Sequence, residues 1–378
     1  MGLDHVVKQV KQLMAVVSIG SSLFFGCSSL PPPTMKQTEP VQQKSVACIV
    51  LDLEELLGSS DYNHHLLHKI VDKVQANIPV KDNYSFDDKV VVLKSIESAL
   101  KDQGFQTGFS SVFYKGLEKK KVSSSELSCL YVAVGKKMNL PLNLMLLPDR
   151  AFIVWNDVIW DSSVGRVISD NECIDEMKIP KSALDSGLYL KSLDKKQECA
   201  FAFAERGKAL LKNSDEQSLK QAVKDFTFAI TLEHRLISAY VGRGAAYLKS
   251  DLPDLAMSDA VYLINKYPDL AEGHILSTSV NLKLLRTTNA LEACEKAISL
   301  NPHNIYLAEA HRLRVQINQR TSTFMRFKIT DINFAIQLDP EEPSGYFIRG
   351  NLRQQMNDLA GAEEDFNKYQ ELKKQRDD

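Results

Sequence analysis

Apolar positions along most of this chain recur every three to four residues. Lys89 to Gln103 carries Val90, Leu93, Ile96 and Leu100 on one face and meets a stop at Gly104, which predicts an amphipathic helix. Glu126 to Met138, with Leu127, Leu130, Tyr131, Val132 and Val134, predicts another, and Val46 to Leu57 a third. Then the period changes. Leu144 to Leu147, Ala151 to Trp155 and Val158 to Trp160 are short apolar runs that predict strands, with Asn156-Asp157 as the turn between the last two. From about Ala200 the helical period returns and holds to the C-terminus.

The returning period is itself repeated. Pro268 and Pro302 are 34 residues apart, and Pro340 follows after 38. Ahead of them sits one pattern, a small residue and two packing residues: Ala256, Ala260, Leu263, then Ala290, Cys294, Ala297. Before Pro340 it weakens, with Lys328 in the small position ahead of Ile332 and Ala335. Ala222, Phe226, Ala229 and Ala362, Phe366, Tyr369 give the same reading at either end. Gly207, Gly244 and Gly350 share another repeat position, each preceded by Arg (Arg206, Arg243, Arg349). A small residue there is expected to let the second helix of the same pair approach closely, and proline to stop that second helix. These residues strongly resemble tetratricopeptide (TPR) repeats. Five units are expected, near 200–234, 237–270, 271–304, 305–342 and 343–376. The third and fourth depart at the glycine position, with Thr278 and Arg312, and the fourth has a longer turn around Gln319 to Met325. The resemblance implies a solenoid whose first helices line a concave groove for protein or peptide partners. In that register Lys212, Lys249 and Lys283 are equivalent, either a ladder for an acidic or C-terminal carboxylate or a solvated lysine face.

At the N-terminus, Lys8 and Lys11 precede an apolar run from Leu13 to Phe25, too short to span a bilayer but suited to a signal-peptide core. Leu23-Phe24-Phe25-Gly26-Cys27 resembles a bacterial lipobox, departing from it at Phe24, and implies lipidation at Cys27, the alternative being an ordinary cleaved signal or a membrane anchor. Ser28 in the next position implies sorting onward to an outer membrane. Pro31-Pro32-Pro33 and the polar stretch to Lys44 read as a tether. The expected organisation is a signal peptide at 1–26, a tether at 27–44, a middle domain at 45–193 and the repeats at 194–378. The link from Ile179-Pro180-Lys181 through Leu193 has little flexible character, so the last two are expected to pack closely.

The middle domain, a helix followed by strands with two Trp, resembles the transglutaminase-like core of the papain-type superfamily. Ser123-Ser124-Ser125 leads into a helix like the family's nucleophile helix, which exits at Leu140-Pro141-Leu142. Leu147 to Trp155 looks like the strand bearing the family's histidine, and Trp160-Asp161-Ser162-Ser163 like the strand supplying the acid. The fold class expected is therefore an α+β transglutaminase-like domain followed by an all-α TPR solenoid. The match breaks at the chemistry: the cysteine position falls on Ser124, the histidine position on Arg150, and only Asp161 keeps its type. A nucleophile of this kind needs a base that takes and returns its proton, and Arg, with a pKa above about 12, is not one. No histidine occurs between His68 and His234. A pseudoenzyme is the expectation, the alternative being an amide hydrolase or acyl-transferase with an altered site. A third use of the cleft is a carboxylate or phosphate held by Arg150.

The remaining chemistry is thin. A hydrophobic content of 44% suffices for packed cores, and a formal charge of −2 supplies no field for nucleic acid. Beyond Cys27 five cysteines remain (Cys48, Cys129, Cys173, Cys199, Cys294), an odd number with no CxxC pair. Cys173 and Cys199 are either bridged or buried thiols, and Cys129 reads as core. His64 and His68 have the i, i+4 spacing of helical metal ligands but no evident third partner, so neither a metal nor any other cofactor is expected. Taken together these readings suggest a lipid-anchored adaptor on the periplasmic or outer-membrane face of a bacterial envelope.

Overall fold

The computed structural model describes residues 61–78, 81–107, 120–213, 215–320 and 325–377, all within one compact unit. The lipobox with Cys27, the tether, the 46–57 helix, Cys48 and most of the 319–325 turn lie outside them. Among the described residues no helix is long and apolar enough to cross a membrane.

Two helices open the fold, α1 (Asp61–Asn77) and α2 (Phe86–Asp102), the second started by a reciprocal cap between Ser85 and Asp88. Gly104, at φ +87, turns the chain after α2. A short parallel pair, β1 (Gln106–Thr107) with β2 (Lys121–Val122), leads to α3 (Ser124–Lys137). Every residue of α3 from Ser125 to Gly135 is buried. A helix apolar on all sides has to be covered on all sides, and α3 is the central rod of this region.

The sheet explains why its strands are nearly continuously apolar. It is an antiparallel meander of β3 (Asn143–Leu146), β4 (Ala151–Trp155), β5 (Val158–Asp161) and β6 (Arg166–Ile168). Leu144, Ala151, Ile153, Trp155, Val158 and Trp160 face a core shared with α1, α2 and α3. The alternate residues Met145, Phe152, Ile159 and Ile168 face a second core. That core is completed by Cys173 and Met177 of α4 (Asp170–Met177), by Ala183 of α5 (Lys181–Asp185), and by residues of the C-terminal helices. β6, α4 and α5 were not anticipated from the pattern. The 182–193 link is not a bare connection either: Leu190 and Leu193 donate backbone hydrogen bonds to Leu146 and Leu144, extending the edge of β3.

Ten helices follow as five antiparallel pairs: α6 (Lys195–Leu210) with α7 (Glu216–Leu232), α8 (Ile237–Lys249) with α9 (Pro253–Lys266), and α10 (Ala271–Lys283) with α11 (Thr287–Ser299). The last two are α12 (Asn304–Gln319) with α13 (Met325–Leu338) and α14 (Pro343–Gln355) with α15 (Leu359–Asp377). The charged run from Lys373 to Asp377 is the last turn of α15. First helices of neighbouring pairs touch one another (α6 with α8, α8 with α10, α10 with α12), so they line the inner side of the stack. The packing residues Ala222, Phe226, Ala229, Ala256, Ala260, Ala290, Cys294, Ala297, Ile332 and Ala335 are all fully buried. Lys328 in the weak position is buried as well.

Candidate functional site

Of the three positions singled out in the middle region, Arg150 and Asp161 are engaged by local side-chain partners. Ser124 is the first residue of α3, placed by the reciprocal cap in which Ser123 Oγ accepts from Glu126 N and Glu126 Oε2 accepts from Ser123 N. Arg150 turns its guanidinium back on its neighbour, with Nη2 donating to Asp149 Oδ2 at 3.0 Å. Burial works against that charge, but Asp149, and beyond it Asp161 and Glu176, hold the Arg150 pKa above its ordinary value. Asp161 is buried and accepts from the backbone N and hydroxyl of Ser163, at 2.9 and 2.5 Å. The residue that joins these elements is Ser128, one turn into α3. Its Oγ lies 2.7 Å from the Ala151 carbonyl, to which it donates, and 2.9 Å from Ser162 Oγ. The seryl groups here tie α3 to β4 and β5, and the array brings one imidazole, His303, to 3.7 Å from Asp149.

Cys129, Cys173, Cys199 and Cys294 are free and buried, so the bridge between Cys173 and Cys199 is not formed. Their thiol pKa values are pushed up by burial, to about 12 for Cys173, about 11 for Cys199 and about 12 for Cys294. His68 is exposed on α1, and among the described residues no group of three metal-binding side chains occurs. A surface hollow of about 570 Å³ is lined by Asp215, Glu216, Gln217, Lys220, Gln221 and Lys224, and by none of the positions above.

The helical pairs repeat a fork that joins their two helices. Arg206 holds Asp225, Arg243 holds Asp259, Arg314 holds Asp331 and Arg349 holds Asp365, each through Nε and Nη2 to the two carboxylate oxygens at 2.5 to 3.0 Å. Beside three of these forks lies a glycine. A Cβ at Gly207 would stand 2.7 Å from the Phe226 ring, and one at Gly350 2.7 Å from Phe366, each on the second helix of the same pair. Gly244 differs from expectation, since its Cβ would meet Leu276 of the next pair's first helix at 2.5 Å. Its role is to let units approach each other. In the third unit Thr278 takes the glycine position and donates to the carbonyl of His274. In the fourth, the fork at Arg314 puts the fully buried Val315 there, not Arg312 as expected. Arg312 reaches Glu309 and Asp339 instead.

The C-terminal region is a TPR-like solenoid of helical pairs. No family model matches the chain. The "Protein STIP1 homolog" of Dictyostelium discoideum is 32% identical over 111 residues, which is 29% of this chain and 19% of that protein's length. The chain thus spans about a fifth of that relative. Among solved structures, the TPR protein TTC0263 of Thermus thermophilus covers 44% of this chain and 91% of its own, at 17% identity and a TM-score of 0.37. YrrB, titled a TPR protein with an unusual peptide-binding site, covers 51% and 90% at 16% identity and 0.29. Yeast Tom70 covers 83% and 61% at 15% identity and 0.41. The scores are low, and the array is defined by its own repeat geometry.

The inner face of the TPR array is largely covered by the middle region. Phe201 and Glu272 occupy equivalent register positions in α6 and α10, and Tyr306 lies in the first turn of α12. Phe201 is buried in the α3 core, Glu272 faces the hydroxyl of Tyr189, and Tyr306 donates to the carbonyl of Pro148 at 2.6 Å. Ile237 and Tyr240 of α8 pack in the core of the sheet's second face. In the fifth unit this face is more open, with Phe347 45% exposed against 9% for Ile275 at the equivalent position of α10. Lys212, Lys249 and Lys283 lie at the exposed ends of the first helices. Lys249 donates to the Leu211 carbonyl at 2.6 Å and Lys283 pairs with Asp251 at 2.9 Å, both ties between neighbouring units. Arg320 repeats the first tie on Leu282 at 2.6 Å. A cation at a helix C-terminus meets the unpaired carbonyls of the last turn, which accounts for the recurrence of these side chains.

Proposed function

We propose that this chain is a membrane-tethered protein-binding adaptor: Cys27 carries the lipid, the TPR array captures a protein segment, and the middle region has a transglutaminase-like core without its catalysis. The observation that carries the reading is the array itself. Four of its five pairs are joined by Arg–Asp forks, and Phe347 of the fifth unit stands exposed. Catalytic silence is supported by Arg150, which is engaged with Asp149, and by Asp161, which is engaged with Ser163. A thiol or hydroxyl nucleophile needs a free base at hydrogen-bond reach, and both carboxylates here, Asp149 and Asp161, are already engaged. The envelope location rests on the lipobox-like segment alone.

The test is site-specific photocrosslinking in a bacterial envelope, with the crosslinker at Phe347 on the inner face or at Glu363 on α15. Adducts at Phe347 and not at Glu363 are expected; equal adducts at both sites would remove the inner face from the proposal. Palmitate labelling that survives Cys27→Ala would remove the tether. Covalent trapping of Ser124 by a serine-directed probe would replace catalytic silence with the hydrolase or acyl-transferase alternative.

A further inference from the structure

The middle region covers the array's inner face in two ways. Over the second unit the seam is apolar: Met145, Phe152 and Ile159 of the sheet meet Tyr189, Ile237, Tyr240, Leu263 and Leu270. Over the third and fourth units it is polar. The turn that joins β3 to β4, closed by Leu147 N to Arg150 O at 2.9 Å, presents the Pro148 carbonyl to Tyr306. Asp149 lies 3.7 Å from His303, too far for a hydrogen bond, and His303 Nδ1 is buried with no hydrogen-bond partner. Lys178 reaches Asn301 and Asn304 only at 3.4 and 3.3 Å.

Seams that stay shut are apolar and well satisfied, whereas polar, incompletely paired seams resemble transient interfaces. A repeat stack also flexes between units, because each unit is held mainly by its neighbours. The apolar part of this seam is therefore the fixed end, and the polar part is the end that can open.

Resting on the adaptor reading, we propose that the Leu147–Arg150 turn is an internal ligand of the array. It occupies the inner face of the third and fourth units, and a partner gains that face by displacing it with a proline–acidic turn of its own. The chemistry of recognition is already displayed by the internal occupant. The Tyr306 hydroxyl takes a backbone carbonyl, and His303 stands beside a carboxylate whose geometry a freely placed ligand can improve. Displacement also frees the Tyr306 hydroxyl and the unpartnered Nδ1 of His303 for the incoming turn.

Two measurements on the full chain test this. Fluorescence anisotropy with a labelled synthetic peptide spanning Leu146–Phe152 compares the native chain with a variant carrying Pro148→Gly, Asp149→Gly and Arg150→Gly. At least tenfold tighter binding to the variant is expected; equal affinity, or no saturable binding to the variant, overturns the proposal. Because the triple variant risks misfolding, hydrogen exchange is measured on Tyr306→Phe as well. Exchange is expected to rise at least tenfold in α12 and in the 147–150 turn together, with α3 and α8 unchanged. No rise at either place, or an equal rise everywhere, overturns it. If both arms fail while Phe347 still crosslinks a partner, the adaptor reading stands without the internal ligand; if both succeed and Phe347 captures nothing, the adaptor reading fails instead.

Discussion

Arg243 holds Asp259 in a two-pronged grip, Nε to Oδ2 at 3.0 Å and Nη2 to Oδ1 at 2.6 Å, across the two helices of one repeat. Both groups are largely out of solvent, and burial keeps the Asp259 pKa raised even with Arg243 beside it. Breaking a buried pair by removing one partner strands the other charge, at a typical cost of about 3–5 kcal/mol. Arg243→Ala is expected to destabilise the array by an amount of that order. The double variant Arg243→Met with Asp259→Leu is expected to recover much of the loss, since no charge is stranded. Urea unfolding of the three chains checks this; a double variant as unstable as the single one would show that the fork stabilises by more than mutual neutralisation.

The same forks show what the sequence did and did not disclose. The repeat period, the helix-stopping prolines and the arginines before Gly207, Gly244 and Gly350 were all legible, because period and backbone chemistry are local. The acidic partners carried a signal that was overlooked. Asp225, Asp259, Asp331 and Asp365 each stand immediately before a packing residue of the second helix, and in the third unit Ala293 takes that place where Ser277 replaces the arginine. The middle strands could be placed because each is a short apolar run between turn residues. Their coverage on both faces was not legible, because what packs on Phe152 and Ile159 lies some hundred residues later in the chain. His303 shows the same limit: a search for histidine near Arg150 along the sequence cannot find a side chain that the array delivers.

Phe226 tests how tightly adjacent repeats are fitted. Its ring is fully buried, and Cβ atoms at Gly207 and Gly242 would come within 2.7 and 2.3 Å of it. Alanine in a helix interior is worth up to about 1 kcal/mol over glycine, but overpacking a rigid ring costs about 1–3 kcal/mol. Gly207→Ala and Gly242→Ala are therefore expected to lower the melting temperature. At Gly361 the nearest atoms belong to the exposed, adjustable carboxylate of Asp358. Gly361→Ala is expected to be neutral or stabilising, and thermal melts of the three variants decide it.

The buried thiols give a chemical check on the same packing. With pKa values near 11 to 12, Cys173, Cys199 and Cys294 are ionised at pH 8 to about one part in a thousand or less. Iodoacetamide followed by mass spectrometry is expected to leave these three and Cys129 unmodified in the folded chain and to modify all four in urea. Rapid labelling of Cys173 or Cys199 without unfolding would mean that the region around the second sheet face is open.

Glu272 links the seam to pH. Burial raises its carboxyl from an ordinary 4.5 to about 7, opposed by its own backbone amide and by the Tyr189 hydroxyl. Tyr189 and Tyr306 feel both Glu272 and Asp149, so two acidic groups and two phenols share this region. Between pH 4.5 and 7 the folded chain keeps a proton on Glu272 that the unfolded chain releases. Stability from this group is therefore full below about 4.5 and falls as pH rises, until it is lost above about 7. The full difference is at most about 3.5 kcal/mol, at about 1.4 kcal/mol for each pKa unit. Glu272→Gln keeps the shape without the titration, so it is expected to match the native chain at pH 5 and exceed it in stability at pH 8. Carboxylates elsewhere that titrate with lowered pKa, such as Glu233 at about 2, are common to both chains and cancel in the difference. Denaturant melts at pH 5, 6, 7 and 8 measure that difference directly; a gap that does not widen with pH would place Glu272 in contact with water, and the polar end of the seam would then already stand open in the native chain.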